Sequence, residues 1–344
     1  MSRVAILGTG LIGASVGLAL REQGWESVGW DPSPEALEVA AARGAAVVAP
    51  SSSDAAEGAD LVVLAGPLHA NLATLATLET DALVTDVTSV KEPMVGAARN
   101  GVRFVGGHPM AGREHAGPEA ASAALFRGAP WVICDDDATP EDVERLRSIV
   151  RSTGANPIVM SARRHDEVVA SVSHLPQLLA VALVNIISEN SDASDLVSGS
   201  FRDLTRVAST ESSWWPEVLT SNAGAVTSAI DDLVQGLEDL RARVVAEDLD
   251  GLAGDLDKAR ARRASMAPPV ALVEVILQDR PGEIAAVGHA LQTSKVDVRD
   301  LQLRHAVHGG GGILSLSVRP GEAETLKAAL VEEGFTIEIE EGHG

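Results

Sequence analysis

Residues 4–13 read VAILGTGLIG, and Asp31 closes the next apolar run, VGWD at 28–31. Four apolar residues without polar alternation read as a fully buried strand. Gly8-Thr9-Gly10-Leu11-Ile12-Gly13 then turns into an apolar helix. Gly8 permits the tight turn, Gly10 lets the backbone approach a pyrophosphate, and Gly13 lets helix and strand pack closely. The helix start at Leu11 and Ile12 offers unpaired N–H groups and a positive dipole end to phosphates. A carboxylate at Asp31 is placed to accept hydrogen bonds from ribose hydroxyls and to repel a 2′-phosphate, which favours NAD over NADP. The plain alternatives are a glycine turn with no ligand and Asp31 as a helix cap before Pro32 and Pro34.

Outward from this turn the pattern repeats. Strands are predicted at 4–7, 27–30, 61–64, 83–86, 102–105 and 131–134, and helices at 11–23, 35–43 and 90–100. Apolar strands separated by helices imply a parallel sheet covered on both faces, a doubly wound α/β domain over residues 1–160. Residues 161–264 read as helices only, with more apolar face than they can bury alone. That points to helix packing between protomers and a homodimer. The basic stretch KARARRASMAPP (258–269) reads as a helix C-terminus stopped by prolines. From 270 to 344 the expected order is strand 270–278, helix 282–293, strand 296–306, a glycine turn at 309–312, strand 313–318, helix 322–333 and strand 335–340. This is the βαββαβ, ferredoxin-like order.

Composition narrows the function. The 344 residues carry 49 acidic and 27 basic side chains, a formal charge of -22. Such a field repels nucleic acid and anionic membranes, and any site for an anionic substrate must concentrate basic groups locally. Cys134 is the only cysteine, which rules out an intrachain disulfide or a thiolate zinc cluster and fits a reducing compartment. No metal site is expected. The N-terminal residues lack the basic region and cleavage site of a signal peptide, so the expected location is cytoplasmic. Residues 168–188 contain no Asp, Glu, Lys or Arg, but His174, Pro176, Gln177 and Asn185 interrupt them. A buried core helix, shared between subunits, is the expected reading rather than a membrane span.

Four further stretches fall where strands end or helices begin. TDVTSVK (85–91) closes the fourth strand and includes Ser89, which reads equally as a helix N-cap. GGHPMAGRE (106–114) follows the fifth; there Pro109 restricts His108 to extended backbone, and a satisfied loop histidine is the plain reading of that residue taken alone. In an open α/β sheet this edge is the ligand crevice. His165-Asp166 leads into SHLPQ (173–177). On a regular helix Asp166, Ser173 and Gln177 share one stripe, and Pro176 distorts the turn before it. FRDLTR (201–206) places Arg202 and Arg206 on one helix face, with Trp214 and Trp215 following; surface ion pairing is the plain reading.

Taken together, these motifs resemble the prephenate and arogenate dehydrogenase family, in its order and approximate spacing across essentially the whole chain. The unit at 270–344, with Asp279-Arg280-Pro281-Gly282 before a helix, looks like an ACT domain, which some bacterial members carry. The resemblance implies NAD-dependent oxidative decarboxylation of prephenate to 4-hydroxyphenylpyruvate on the route to tyrosine. It implies His108 as the general base and Ser89 as the group holding the reacting oxygen or the nicotinamide. It also implies Arg206 as a substrate-carboxylate clamp, Glu114 in the ionic network around it, and His165, Ser173 and Gln177 at the substrate. Asp279 and Gly282 would serve a regulatory ligand, expected to be tyrosine. One departure stands out: Gln177 replaces a histidine found in many prephenate-specific members, which leaves arogenate open. A β-hydroxyacid dehydrogenase is the competing enzyme class, but its lysine is missing from residues 161–190. A non-enzymatic NAD and amino-acid sensor is the other, and the set His108, Ser89 and Arg206 argues against it.

Overall fold

The computed structural model describes residues 1–98, 101–113, 115–188, 196–197, 199–209, 213–266, 270–278, 280–305 and 311–340. The chain divides into two compact units, Met1–Gln235 and Gly236–Gly344, the division falling inside the helix Ala223–Val245.

The first unit is built on one sheet. Its strands are β1 Arg3–Leu7, β2 Glu26–Trp30, β3 Val47–Val48, β4 Leu61–Leu64, β5 Leu83–Asp86, β6 Phe104–Pro109, β7 Pro130–Cys134 and β8 Asn156–Met160, in the order β3-β2-β1-β4-β5-β6-β7-β8. β1 is central and buried on both faces. Val4 and Ile6 pack with Leu20 and Leu61 on one side, while Ala5 and Leu7 pack with Val62 and Leu64 on the other. The strand order reverses between β1 and β4, so a crevice opens at their carboxyl ends, over the glycine-rich turn.

Two strands escape the apolar reading. β3 is two exposed valines and β8 is only partly covered, so neither shows a buried apolar run. The parallel expectation also needs one correction, because β7 runs antiparallel to β6. A parallel return needs a crossover element. Among the described residues between β6 and β7 the one helical element is the short 3₁₀ turn Pro118–Ala120, whereas helix Pro140–Ser152 carries the chain from β7 to a parallel β8.

A helical segment follows: Ala162–Val169 is α-helical, Ala170–His174 is a π turn, and Leu175–Ser188 returns to α. Pro176 has no N–H to donate to the turn before it, and the wider turn is how the backbone absorbs that loss. The stretch Ala162–Ile187 is long and apolar enough to cross a bilayer, yet only 22% of its most apolar window is buried within this chain. Helices Gly199–Thr205, Trp215–Ser221 and Ala223–Val245 complete the segment, joined by a 3₁₀ turn at Arg206–Ser209.

In the second unit helix Leu249–Ser265 precedes an antiparallel sheet of order β10-β11-β9-β12. Its strands are β9 Ala271–Leu277, β10 Asp300–His305, β11 Gly312–Val318 and β12 Thr336–Glu340. Helices Glu283–Ser294 and Ala323–Glu332 cover one face, burying Val273, Val275, Leu314 and Leu316 against Val287 and Leu326. The βαββαβ order matches the sequence pattern, with β10 beginning at Asp300 rather than 296.

Candidate active site

The glycine-rich turn has room in one place only. Gly8 sits at φ +106°, and a Cβ there would lie 2.6 Å from the Ala65 carbonyl carbon. At Gly13 a Cβ would meet the Gly8 carbonyl oxygen at 1.9 Å. A Cβ on Gly10 would meet nothing within 4 Å. Gly10 also begins the helix Leu11–Glu22 without any side-chain cap, so the first N–H groups of that helix have no side-chain acceptor. Close packing on two sides and an open, uncapped third side is the shape a pyrophosphate requires. Asp31 lies beside the turn: Thr9 N–H donates to its Oδ2 at 2.6 Å and Ser33 N–H to its Oδ1 at 2.9 Å.

At the end of β6, His108 begins a chain of rings. Its Nδ1 lies 2.8 Å from His165 Nε2, and His165 Nδ1 lies 2.7 Å from Asp166 Oδ1. The carboxylate can only accept, so His165 donates from Nδ1 and accepts at Nε2. His108 must then donate from Nδ1, which leaves its Nε2 as an unprotonated acceptor. Burial, and after it the neighbouring His165, Lys91 and His174, hold the His108 pKa well below the ordinary histidine value. His108 is therefore a neutral base of defined tautomer in the cavity wall.

Asp166 does more than hold a ring. It accepts the N–H groups of Lys91 and Glu92 at 2.8 and 2.9 Å, capping helix Glu92–Ala97 from outside. The Lys91 side chain is fully buried; its Nζ pairs with Asp86 and donates to Thr88 Oγ1 and the Gly107 carbonyl at 2.9 and 2.7 Å. Asp86 also accepts from Gly107 N–H at 3.0 Å. This ion pair ties the end of β5 to the strand that carries His108.

Two adjoining cavities occupy this region. The smaller, about 670 Å³, runs from Gly10 past Ser89 to His108. The larger, about 1090 Å³, is lined by Gln177, Arg206, His115 and Glu119. Arg113, Ser173, Trp214 and Trp215 line both, so one continuous crevice leads from the glycine turn to Arg206. Its wall is pinned by Glu217, which accepts the His69 N–H at 2.8 Å and meets the His69 ring at 2.6 Å. Partial burial works against ionisation of Glu217, but those His69 hydrogen bonds keep its pKa below the usual carboxylate value.

Residues 16–159 match the family model for the prephenate dehydrogenase nucleotide-binding domain, and residues 161–258 match the model for the prephenate dehydrogenase dimerization domain. The chain is 29% identical to prephenate dehydrogenase of Bacillus subtilis over 340 residues, covering 91% of each protein. It is 30% identical to that of Lactococcus lactis, covering 77% of this chain and 78% of the relative. The chain belongs to the prephenate dehydrogenase family. Among solved structures, prephenate dehydrogenase from A. aeolicus in complex with hydroxyphenyl propionate and NAD+ superposes with a TM-score of 0.72 at 29% identity, covering 78% of this chain and 99% of that one. The apolar helix falls within the part that matches the family's dimerization domain.

Within this prephenate dehydrogenase framework most of the predicted residues come together. His108, Ser89, Leu11, Ile12 and Gly10 line one cavity; Arg206, Gln177 and Ser173 line the other. His165 does not line either. It is 0% exposed and sits behind His108, not at the crevice surface where a substrate contact was expected. The single stripe of Asp166, Ser173 and Gln177 is also corrected. The π turn widens the helix between them, so that Asp166 caps another helix while Ser173 and Gln177 face the crevice. Arg202 and Arg206 are divided by the end of helix Gly199–Thr205, and Arg206 alone of the two lines the cavity. Glu114 and Asp279 lie outside the described residues. The roles of Asp86 and Lys91 were not legible in the sequence, because each depends on a partner brought in by the fold.

Proposed function

We propose that this chain oxidises prephenate with NAD, releasing CO₂ and 4-hydroxyphenylpyruvate. The observation that carries this reading is the neutral, tautomer-defined His108 in a crevice joining the glycine-rich turn to Arg206. NAD, held along Gly8–Gly13 with its ribose at Asp31, supplies the hydride acceptor. His108 Nε2 takes the proton of the ring hydroxyl as its carbon becomes a carbonyl. Ser89, in the same wall, holds that oxygen in line. Arg206 grips a substrate carboxylate through its planar fork. Loss of the ring carboxylate restores aromaticity, so that half of the reaction needs little acid–base assistance. The test is NADH formation from prephenate by the purified chain, followed by absorbance; a chain that forms none does not have this activity.

A second substrate, arogenate, is favoured by one feature. Gln177 is 7% exposed and lines the larger cavity, and an amide hydrogen-bonds without carrying charge. It suits a keto group and does not repel the ammonium that arogenate carries in its place. The kcat/KM values for the two substrates, measured side by side, decide between them.

The regulatory reading rests on the second unit. Gly282 begins helix Glu283–Ser294 at φ +97°, and a Cβ there would meet nothing within 4 Å. This open helix start beside the loop is where we place an amino-acid effector, tyrosine. Pairing of two chains through the dimerization segment accounts for the exposed apolar stripe Ile230, Val234, Leu237 and Val244 on helix Ala223–Val245.

A further inference from the structure

Two nitrogens buried in the wall of the smaller cavity, His174 Nε2 and Trp215 Nε1, have no hydrogen-bond partner among the described residues. The two rings meet edge to face, with centroids 6.1 Å apart and planes at 88°, and His174 is 1% exposed. Asn222 determines which nitrogen of His174 carries the proton. Its Nδ2 donates to the Asp166 carbonyl at 2.8 Å and lies 3.4 Å from His174 Nδ1. An amide nitrogen offers only hydrogens, so Nδ1 is the acceptor and Nε2 holds the N–H. The indole nitrogen is a donor in any case. The result is two buried N–H groups without acceptors among the described residues, on adjoining rings that both line one cavity. Burying a donor unpaired is unfavourable, and a ligand oxygen would relieve both.

We propose that His174 and Trp215 form an uncharged, two-donor seat for an oxygen of the bound ligands. This rests on the functional reading above. Trp215 lines both cavities, as does Ser173, the residue before His174, so the seat lies where the His108 end and the Arg206 end of the crevice adjoin. Two ligand oxygens belong to that region: the ring carboxylate of the substrate and the carboxamide oxygen of the nicotinamide. Burial lowers the His174 pKa to about 4, so the seat brings no positive charge at neutral pH. For the ring carboxylate this matters chemically. The carboxylate leaves as CO₂ while its electron pair enters the ring, and a cationic partner would oppose that departure. Neutral donors orient the group without holding its charge back.

The test compares wild type with Trp215→Phe, His174→Leu and His174→Gln. Affinities are measured for NAD, for prephenate, and for 4-hydroxyphenylpyruvate, which lacks the ring carboxylate; NADH replaces NAD in the last two so that no turnover occurs. A seat for the ring carboxylate predicts that Trp215→Phe and His174→Leu weaken prephenate about tenfold or more, as expected for losing a hydrogen bond to a charged group. They should leave 4-hydroxyphenylpyruvate unchanged, and His174→Gln, which keeps an N–H donor, should restore prephenate affinity. A seat for the carboxamide predicts instead that NAD weakens and both ring ligands do not, again with rescue by glutamine. The seat is wrong if no affinity changes, or if all three fall together without rescue, which is the signature of a structural role. Wild type that forms no NADH from prephenate counts against the functional reading, and the NAD arm then still tests the seat.

Discussion

His108 Nδ1 and His165 Nε2 are 2.8 Å apart, and the second ring has no exposed surface. A histidine held this way serves as an orienting partner. His108→Asn should bind NAD normally and lower kcat by about 10²–10⁴-fold, the usual cost of losing a general base. His165→Phe leaves the base in place but releases its tautomer, so kcat should fall by less, with little change in KM. Steady-state kinetics of both variants check this. A His165→Phe enzyme with wild-type kcat would break the relay.

The pH dependence follows from the direction of the histidine shifts. His108 acts as a base only when neutral, and burial holds its pKa well below the ordinary value. Activity should therefore persist below pH 6.5 and decline only at more acid pH. Stability should respond differently. His174 has a pKa of about 4 in the folded chain against 6.5 when unperturbed, so the unfolded chain binds more protons between those values. Its contribution is complete above pH 6.5 and is lost as pH falls toward about 4. Denaturant midpoints measured across that window should fall while kcat is still near its maximum.

Lys91 and Asp86 are both fully buried and paired. Lys91→Met removes one partner and leaves a carboxylate buried without its cation. The expected loss is about 3–5 kcal/mol of folding stability, read from a shift in urea midpoint at unchanged slope. A midpoint close to wild type would mean that the pair contributes nothing net.

Asp31 should set cofactor choice. The wild type should prefer NAD clearly, and Asp31→Ala should narrow the preference by weakening NAD. Because Thr9 N–H also donates to this carboxylate, the variant loses a brace of the glycine-rich turn as well. Ratios of kcat/KM for NAD and NADP give the answer, and equal values in wild type contradict the assignment.

Gly282 offers a test of the regulatory reading. Its φ of +97° is unsuited to a β-branched side chain. Gly282→Val should therefore disturb the helix start, abolish inhibition by tyrosine and leave uninhibited turnover unchanged. Full tyrosine sensitivity in this variant would place the inhibitor elsewhere, with direct competition at Arg206 the alternative.

The doubly wound sheet, the helical middle and the βαββαβ end were all legible in the sequence, because they depend on local periodicity and turn chemistry. Gly8, Gly10 and Gly13 each carry a separate role that the sequence alone makes readable, since backbone sterics at such a turn leave few choices. His108 and Arg206 were singled out from their motifs, and both line the crevice. What remained hidden was anything decided by a second segment. That β7 runs against β6 depends on a connection whose described residues between 109 and 130 form only a short 3₁₀ turn and no crossover helix. That His165 stands behind His108, and not in the crevice wall, depends on which way a buried helix turns its face. Asp166 caps a helix that begins 74 positions earlier in the chain, at Glu92, and no spacing rule reaches that far. The π turn at Ala170–His174 sent Asp166 and Gln177 in different directions, although a regular helix would have aligned them. Sequence alone determined which chemical groups this protein brings to its crevice. Tertiary packing alone decided which of them line the crevice and which hold another residue in place, because that depends on long-range pairs whose hydrogen bonds form only when the chain has closed around them.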